Sequence, residues 1–101
     1  MHQASAYLET AHGRKYLAQL CKHFAHKIDV VHSESFATCR FPFGTGILEA
    51  DETGLRMVAE AADADALKRT QEVIESHLMR FAFREPQQPL HWQGADQAAP
   101  V

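Results

Sequence analysis

The sequence predicts an α+β domain: an antiparallel sheet with two helices on one face, in the order β-α-β-β-β-β-α. Two stretches, 13–27 and 63–83, repeat apolar residues at helical spacing, while the segments around them alternate or are β-branched. Four of the five strand-like segments follow one another through short turns, which favours hairpin neighbours over crossovers. At 101 residues and 11.3 kDa the chain can build one core, so a single domain is expected over 1–93, with a flexible tail over 94–101.

Residues 4–10 open the chain as a strand anchored by Tyr7 and Leu8. Ala11, His12 and Gly13 interrupt it, and Thr10 is the expected cap of the first helix. That helix, 13–27, places Leu17, Leu20, Cys21 and Phe24 on one face at i, i+3, i+4, i+7 spacing, and Ile28 extends the stripe. Lys22 and Lys27 stand at its C-terminal end, where the macrodipole favours cations. Residues 28–34 are β-branched and read as a strand; 36–43 alternate, with Ala37, Cys39 and Phe41 one way and Thr38 and Arg40 the other. Pro42 cannot donate to a ladder and marks the end of that strand. Phe43 to Gly46 reads as a turn and 46–50 as a short strand. Asp51 to Gly54 reads as a tight turn whose glycine can take a positive φ, and 55–61 as the next strand. Asp63 caps the second helix, whose core face is Leu67, Thr70, Val73, Ile74, Leu78 and Phe81. Pro86 and Pro89 end it, and Leu90, His91 and Trp92 are apolar or aromatic enough to fasten the chain back onto the domain.

Composition excludes more than it assigns. Hydrophobic residues make up 46% and charged residues 23%, the balance of a globular domain. Neither a basic-plus-apolar leader nor a run approaching the ~20 apolar residues of a membrane span is visible, so a cytoplasmic protein with no membrane partner is expected. A net charge of −3 argues against nucleic acid as a partner held through its phosphates. Cys21 and Cys39 lack the CxxC spacing. A disulfide is open on counting alone, and a reducing compartment favours two buried thiols. Protonating the seven histidines would carry the net charge from −3 to +4, with the sign changing in mildly acidic solution. No nucleophile elbow, phosphate loop or dinucleotide fingerprint occurs, so no cofactor is expected and catalysis is not the leading reading.

The strand and helix order resembles the TATA-binding-protein-like fold, which also forms the last domain of phosphohexomutases. Three stretches carry a closer resemblance: YLAQLCKHFAHKI at 16–28, GILEADETGL at 46–55, and IESHLMRFAFRE at 74–85 with LHWQ at 90–93. They resemble the bacterial family of domains of unknown function numbered 2218, over about residues 5–93. The resemblance implies a small protein some of whose relatives are fused to siderophore-interacting flavin reductases, and hence an accessory role near iron-siderophore metabolism.

Candidate site residues fall into three groups. On the polar flank of the first helix, Tyr16, Gln19, His23 and His26 or Lys27 lie within about a turn of one another. His23 and His26, at i, i+3, are the metal-ligating candidates, although they lack the third ligand that would define a site. On the second helix, His77 sits at the margin of the apolar face, where a half-buried imidazole with one satisfied nitrogen is the ordinary outcome. If the helices pack side by side, His77 approaches His23. The helix end adds Arg80 and Arg84, whose guanidinium forks suit carboxylates. On the open face of the sheet, Arg40 and Arg56 are expected beside Thr38 and Glu49, with His32 joining them. These residues point to a non-catalytic accessory or binding domain for a small ligand or a flavin reductase partner. The alternatives are a small enzyme or metal protein using His23, His26 and His77, and a self-associating module, a homodimer.

Overall fold

The computed structural model describes residues 2–82 and 90–94. The elements are β1 (His2–Glu9), α1 (Gly13–Phe24), β2 (Asp29–His32), β3 (Phe36–Phe41), β4 (Gly44–Ala50), β5 (Gly54–Ala61), α2 (Ala64–Phe81) and β6 (Gln93–Gly94). All strand pairs are antiparallel and form one sheet in the order β2-β3-β4-β5-β1-β6. The predicted α+β order therefore stands, with one addition. The two-residue β6 pairs Ala4 with Gly94 and Ser5 with Gln93, so the chain returns to the sheet edge beyond β1. The tail expected over 94–101 lies outside the described residues except for Gly94.

Alternation decides which face the helices cover. Leu8, Leu55 and Ala50 form one row across the sheet, and Ala6, Met57, Leu48 and Ala37 the next. Ala4, Ala59, Gly46 and Cys39 form the third. Most of these side chains are buried, and both helices lie on them. From α1 come Leu17, Leu20, Cys21 and Phe24, and from α2 Thr70, Ile74 and Leu78, as their spacing predicts. Fully burying a leucine or isoleucine side chain stabilises the fold by about 1.5–3 kcal/mol. Thr70, the buried polar residue of α2, satisfies its hydroxyl by donating to the Ala66 carbonyl at 2.8 Å.

Local signals account for the ends of the elements. Asp63 caps α2 as predicted, its carboxylate accepting from the Ala66 N–H at 2.7 Å. Thr10 does not cap α1. His12 occupies the cap position, and the Thr10 hydroxyl accepts instead from the His12 N–H at 3.0 Å. The same helix ends at Phe24 rather than at 27, because Ala25 to Lys27 turn on bonds to the Cys21, His23 and Phe24 carbonyls. Between β3 and β4 the turn is Pro42-Phe43, earlier than the glycines suggest, so that Phe41 pairs with Gly44.

Gly54 does not take a positive φ. Its glycine is required by space: a Cβ there would run into the Leu8 carbonyl and the Tyr7 ring on β1. The turn before it is held by Asp51, whose carboxylate accepts from the Thr53 hydroxyl and from the Thr53 and Gly54 N–H groups at 2.7–2.9 Å. Those bonds, the Thr53 hydroxyl first, hold the Asp51 carboxyl below its ordinary range. At the other end, Glu75 on α2 accepts from the Leu90 N–H at 3.1 Å and from the Trp92 indole N–H at 2.9 Å. Leu90 and Trp92 are partly buried against the core while His91 is exposed, so the fastening expected of these three belongs to the first and last.

Cys21 on α1 and Cys39 on β3 are both buried free thiols in side-chain contact. The Cys21 thiol and burial push Cys39 well above the ordinary thiol range.

This packing has three measurable outcomes. Gly54→Ala destabilises the domain by about 1–3 kcal/mol through overpacking, measured by urea unfolding. Asp51→Asn flattens the loss of stability in acid: the folded carboxylate titrates below the unfolded one, so its contribution is present above pH ~4 and disappears as pH falls through the folded value. Urea midpoints between about pH 2 and 5 check this, and an unchanged slope would contradict it. Both thiols resist a chromogenic disulfide reagent in the native protein and react once guanidinium unfolds it.

Candidate functional site

A cleft of about 420 Å³ opens where the C-terminal end of α1, the middle of α2 and the β3–β4 turn meet. Its apolar wall is Phe24, Ile28, Phe41, Pro42, Phe43 and Val73; its polar wall is His23, Lys27, Arg69 and His77. Among the described residues, none of those lining it is acidic. Phe24 completes the core stripe of α1, and the tight Pro42-Phe43 turn sets Phe41 and Phe43 side by side. Arg69, Val73 and His77 lie on one face of α2 at successive i+4 steps.

The rings form a continuous series. Phe43 stacks on Phe41 at 5.5 Å and 14°, and Phe41 meets Phe24 edge-on at 5.0 Å. Phe24 meets His77 at 5.1 Å, and His77 lies 4.7 Å from His23. His23 in turn contacts the edge of Phe81 at 6.1 Å. At the other end the Arg69 guanidinium lies over Phe43, 4.4 Å from its centre. Aromatic pairs of this kind are worth about 0.5–1.5 kcal/mol each beyond their area burial, so the wall is well fixed before any ligand arrives.

The approach of His77 to His23 across the helix seam is thus present. His77 is half-buried, and its Nδ1 lies 2.7 Å from the Val73 carbonyl. A carbonyl can only accept, so Nδ1 carries a proton and donates it to Val73. His23 is exposed. Partial desolvation, then the neighbouring His77, Arg80, Lys27 and His26, holds its pKa below the ordinary 6.5. The polar wall of the cleft therefore sets the cations Lys27 and Arg69 beside two imidazoles.

Of the residues singled out in the sequence, His23, Lys27 and His77 line this cleft. His26 and Arg80 are exposed beside it and act on His23 through their charge. His26 lies past the end of α1, and among the described residues no group of three or more His, Cys, Asp or Glu side chains is placed to hold a metal. Tyr16 is 4% exposed and belongs to the core rather than to the polar flank. Arg84 lies outside the described residues. Sequence reasoning missed Arg69, Phe41, Pro42 and Phe43. The i+4 steps from Arg69 to His77 are a readable signal for the first, whereas the place of the turn against α2 is not.

Arg40 and Arg56 are on the opposite side of the sheet. There the register sets Tyr7, Arg56, Glu49 and Phe36 in one row and Ser5, Val58, Ile47, Thr38 and Val31 in the next. Gln3, Glu60, Thr45, Arg40 and Asp29 form the third. His32 is not among them: it pairs with Ala37 and so shares the helix side, exposed at the β2 edge. The register of β2 with β3 sets this parity. The candidate residues thus divide between two surfaces separated by the sheet.

The comparisons with known proteins agree with this architecture. An NMR structure of PA4090 from Pseudomonas aeruginosa superposes with a TM-score of 0.78 at 26% identity, covering 92% of this chain and 96% of that one. No curated protein is significantly similar in sequence. Among the described residues, no helix is long and apolar enough to cross a membrane. The family model of uncharacterised proteins conserved in bacteria, DUF2218, matches residues 5–93, and the chain belongs to that family.

Proposed function

We propose that the protein is a non-catalytic binding domain whose cleft between α1, α2 and the β3–β4 turn takes a small anion bearing a flat apolar ring, such as an aromatic carboxylate or a catecholate. The observation that carries this reading is the composition of one wall against the other. Stacked Phe41 and Phe43 offer an aromatic face, while Lys27, Arg69 and His23 offer cations and a titrating imidazole, with no acid among the described lining residues. A guanidinium is suited to a carboxylate fork, and a volume near 420 Å³ suits a ligand of one or two rings.

The siderophore context implied by the sequence resemblance gives this chemistry a biological form. A catecholate arm of a ferric siderophore is both flat and anionic, and an accessory domain that held it would serve a flavin reductase acting on the iron. That role is the narrower part of the proposal and is tested separately.

The test is an NMR titration of the whole chain with 2,3-dihydroxybenzoate and benzoate, and with neutral benzamide as a control. The acids are expected to shift Phe41, Phe43, His23 and His77, and benzamide to bind at least about tenfold more weakly. Lys27→Ala and Arg69→Ala each weaken the acids by about tenfold. Absence of shifts at these residues at about 5 mM ligand, a Kd too weak to matter, would sink the reading. A ferric catecholate complex is a second arm. Its failure, with the simple acids binding, removes the iron role and leaves the anion cleft.

The His23 imidazole supplies a pH signature. Free, it titrates below 6.5, and a bound anion favours its charged form and raises the midpoint. Affinity is then highest below the free midpoint and falls as pH rises through the bound one, and His23→Gln abolishes that dependence.

A further inference from the structure

We propose that the open face of the sheet is a homodimer interface in which two copies meet face to face about a two-fold axis running along the strands between β4 and β5. Three observations carry it. First, the exposed large hydrophobic side chains of the described residues, Tyr7, Val31 and Phe36, at 43%, 70% and 45% exposure, all lie on this face and none on the helical side. Val58 and Ile47 of the adjacent row link Tyr7 to Phe36 across the charged pair, and an apolar patch on one face marks an interaction surface. Second, the axis lies at the middle of the six-stranded order, three strands on either side, so the operation lays the sheet on its own image. Third, the register makes that operation self-complementary.

A two-fold along the strands, between β4 and β5, puts each β4 residue over the β5 residue that pairs with it in register. Ile47 and Val58 are register partners, so each meets the other's counterpart in the second copy, an apolar pair at the centre. Glu49 and Arg56 are also register partners, so Arg56 of one copy faces Glu49 of the other, twice. With the pairs inside each chain, these four residues form a square of alternating charge. One strand further out, β3 lies over β1 of the second copy and Phe36 faces Tyr7. An apolar centre with charged pairs toward the rim is the ordinary anatomy of an interface. Strand axes aligned in this way are how twisted sheets stack, about 30° apart. The 35 strand residues, at ~4.8 Å between strands and ~3.4 Å along them, give a face of roughly 570 Å², the low end of the range for a specific complex.

An isologous contact of this kind needs no other protein. It uses the side of the sheet away from the cleft, so ligand binding and association are independent.

Sedimentation with mixed charge variants tests the pairing. The wild type is expected to be dimeric at about 100 μM, and Arg56→Glu and Glu49→Arg each to raise the dimer dissociation constant by more than about tenfold, since each sets like charges face to face. An equimolar mixture of the two variants is expected to recover the dimer. One variant carries acids at both positions and the other carries bases at both, so every facing pair in the mixed dimer is attractive. Circular dichroism melts of the separate variants check that both fold. A wild type that stays monomeric at about 1 mM would overturn the proposal and assign the face to a partner of another kind. A mixture no heavier than its components would overturn the register.

Discussion

The structure depends on how closely α2 can lie against the sheet. The row beneath it is Ala4, Ala59 and Gly46, all small, and Ile74 fills the space that a side chain at position 46 would occupy. At Gly44, likewise, a Cβ would collide with the Thr70 hydroxyl on α2 and the Glu60 carbonyl. Small residues bury little area of their own. They let Ile74 and Leu78 bury theirs, and dispersion contacts are lost steeply as such a gap widens. α1 then has one place left, beside α2 on the same face. The seam between them sets His23 against His77.

That arrangement explains why the cleft forms where it does. The helices and the sheet part at the β3–β4 turn, where Pro42 ends pairing and the chain doubles back in two residues. Phe41 is the last residue of its strand and Phe43 lies in the turn beyond it, yet they stack. The apolar interior therefore continues outward as an aromatic wall without a break. Cations gather there for a different reason: α1 ends nearby, and Lys22 and His23 in its last turn suit the negative end of the helix dipole. Electrostatics that serve the helix also bias the cleft toward anions.

Much of this is legible in the sequence because its signals are local. The stripes Leu17–Leu20–Cys21–Phe24 and Thr70–Ile74–Leu78 follow from helical periodicity, and the parity of Ala37, Cys39 and Arg40 from strand alternation. What is not legible depends on distance or on parity shifts. The run Ile28-Asp29-Val30-Val31-His32 has no clean alternation to place His32, whereas its pairing with Ala37 sets it on the helix side. Turn chemistry ascribes Gly54 to dihedral freedom, whereas its constraint comes from Tyr7 and Leu8, far away in sequence. β6 is two residues long, held by register with β1 and by Glu75 from α2, and has no pattern of its own. For the site, residue type alone picks out His23, Lys27 and His77. It sends Phe41 to the core and Phe43 to a turn, because their stacking is a tertiary fact.

The Glu75 tether has a consequence for spectroscopy. Trp92 is the single tryptophan of the chain, and its indole N–H is fixed on a carboxylate of α2 while the adjoining residues pair with the edge of β1. That edge rests on few backbone bonds and unravels at lower free energy than the helical layer. Intrinsic fluorescence of this protein is therefore a local gauge of strand undocking, and its midpoint in denaturant precedes the loss of ellipticity from α1 and α2.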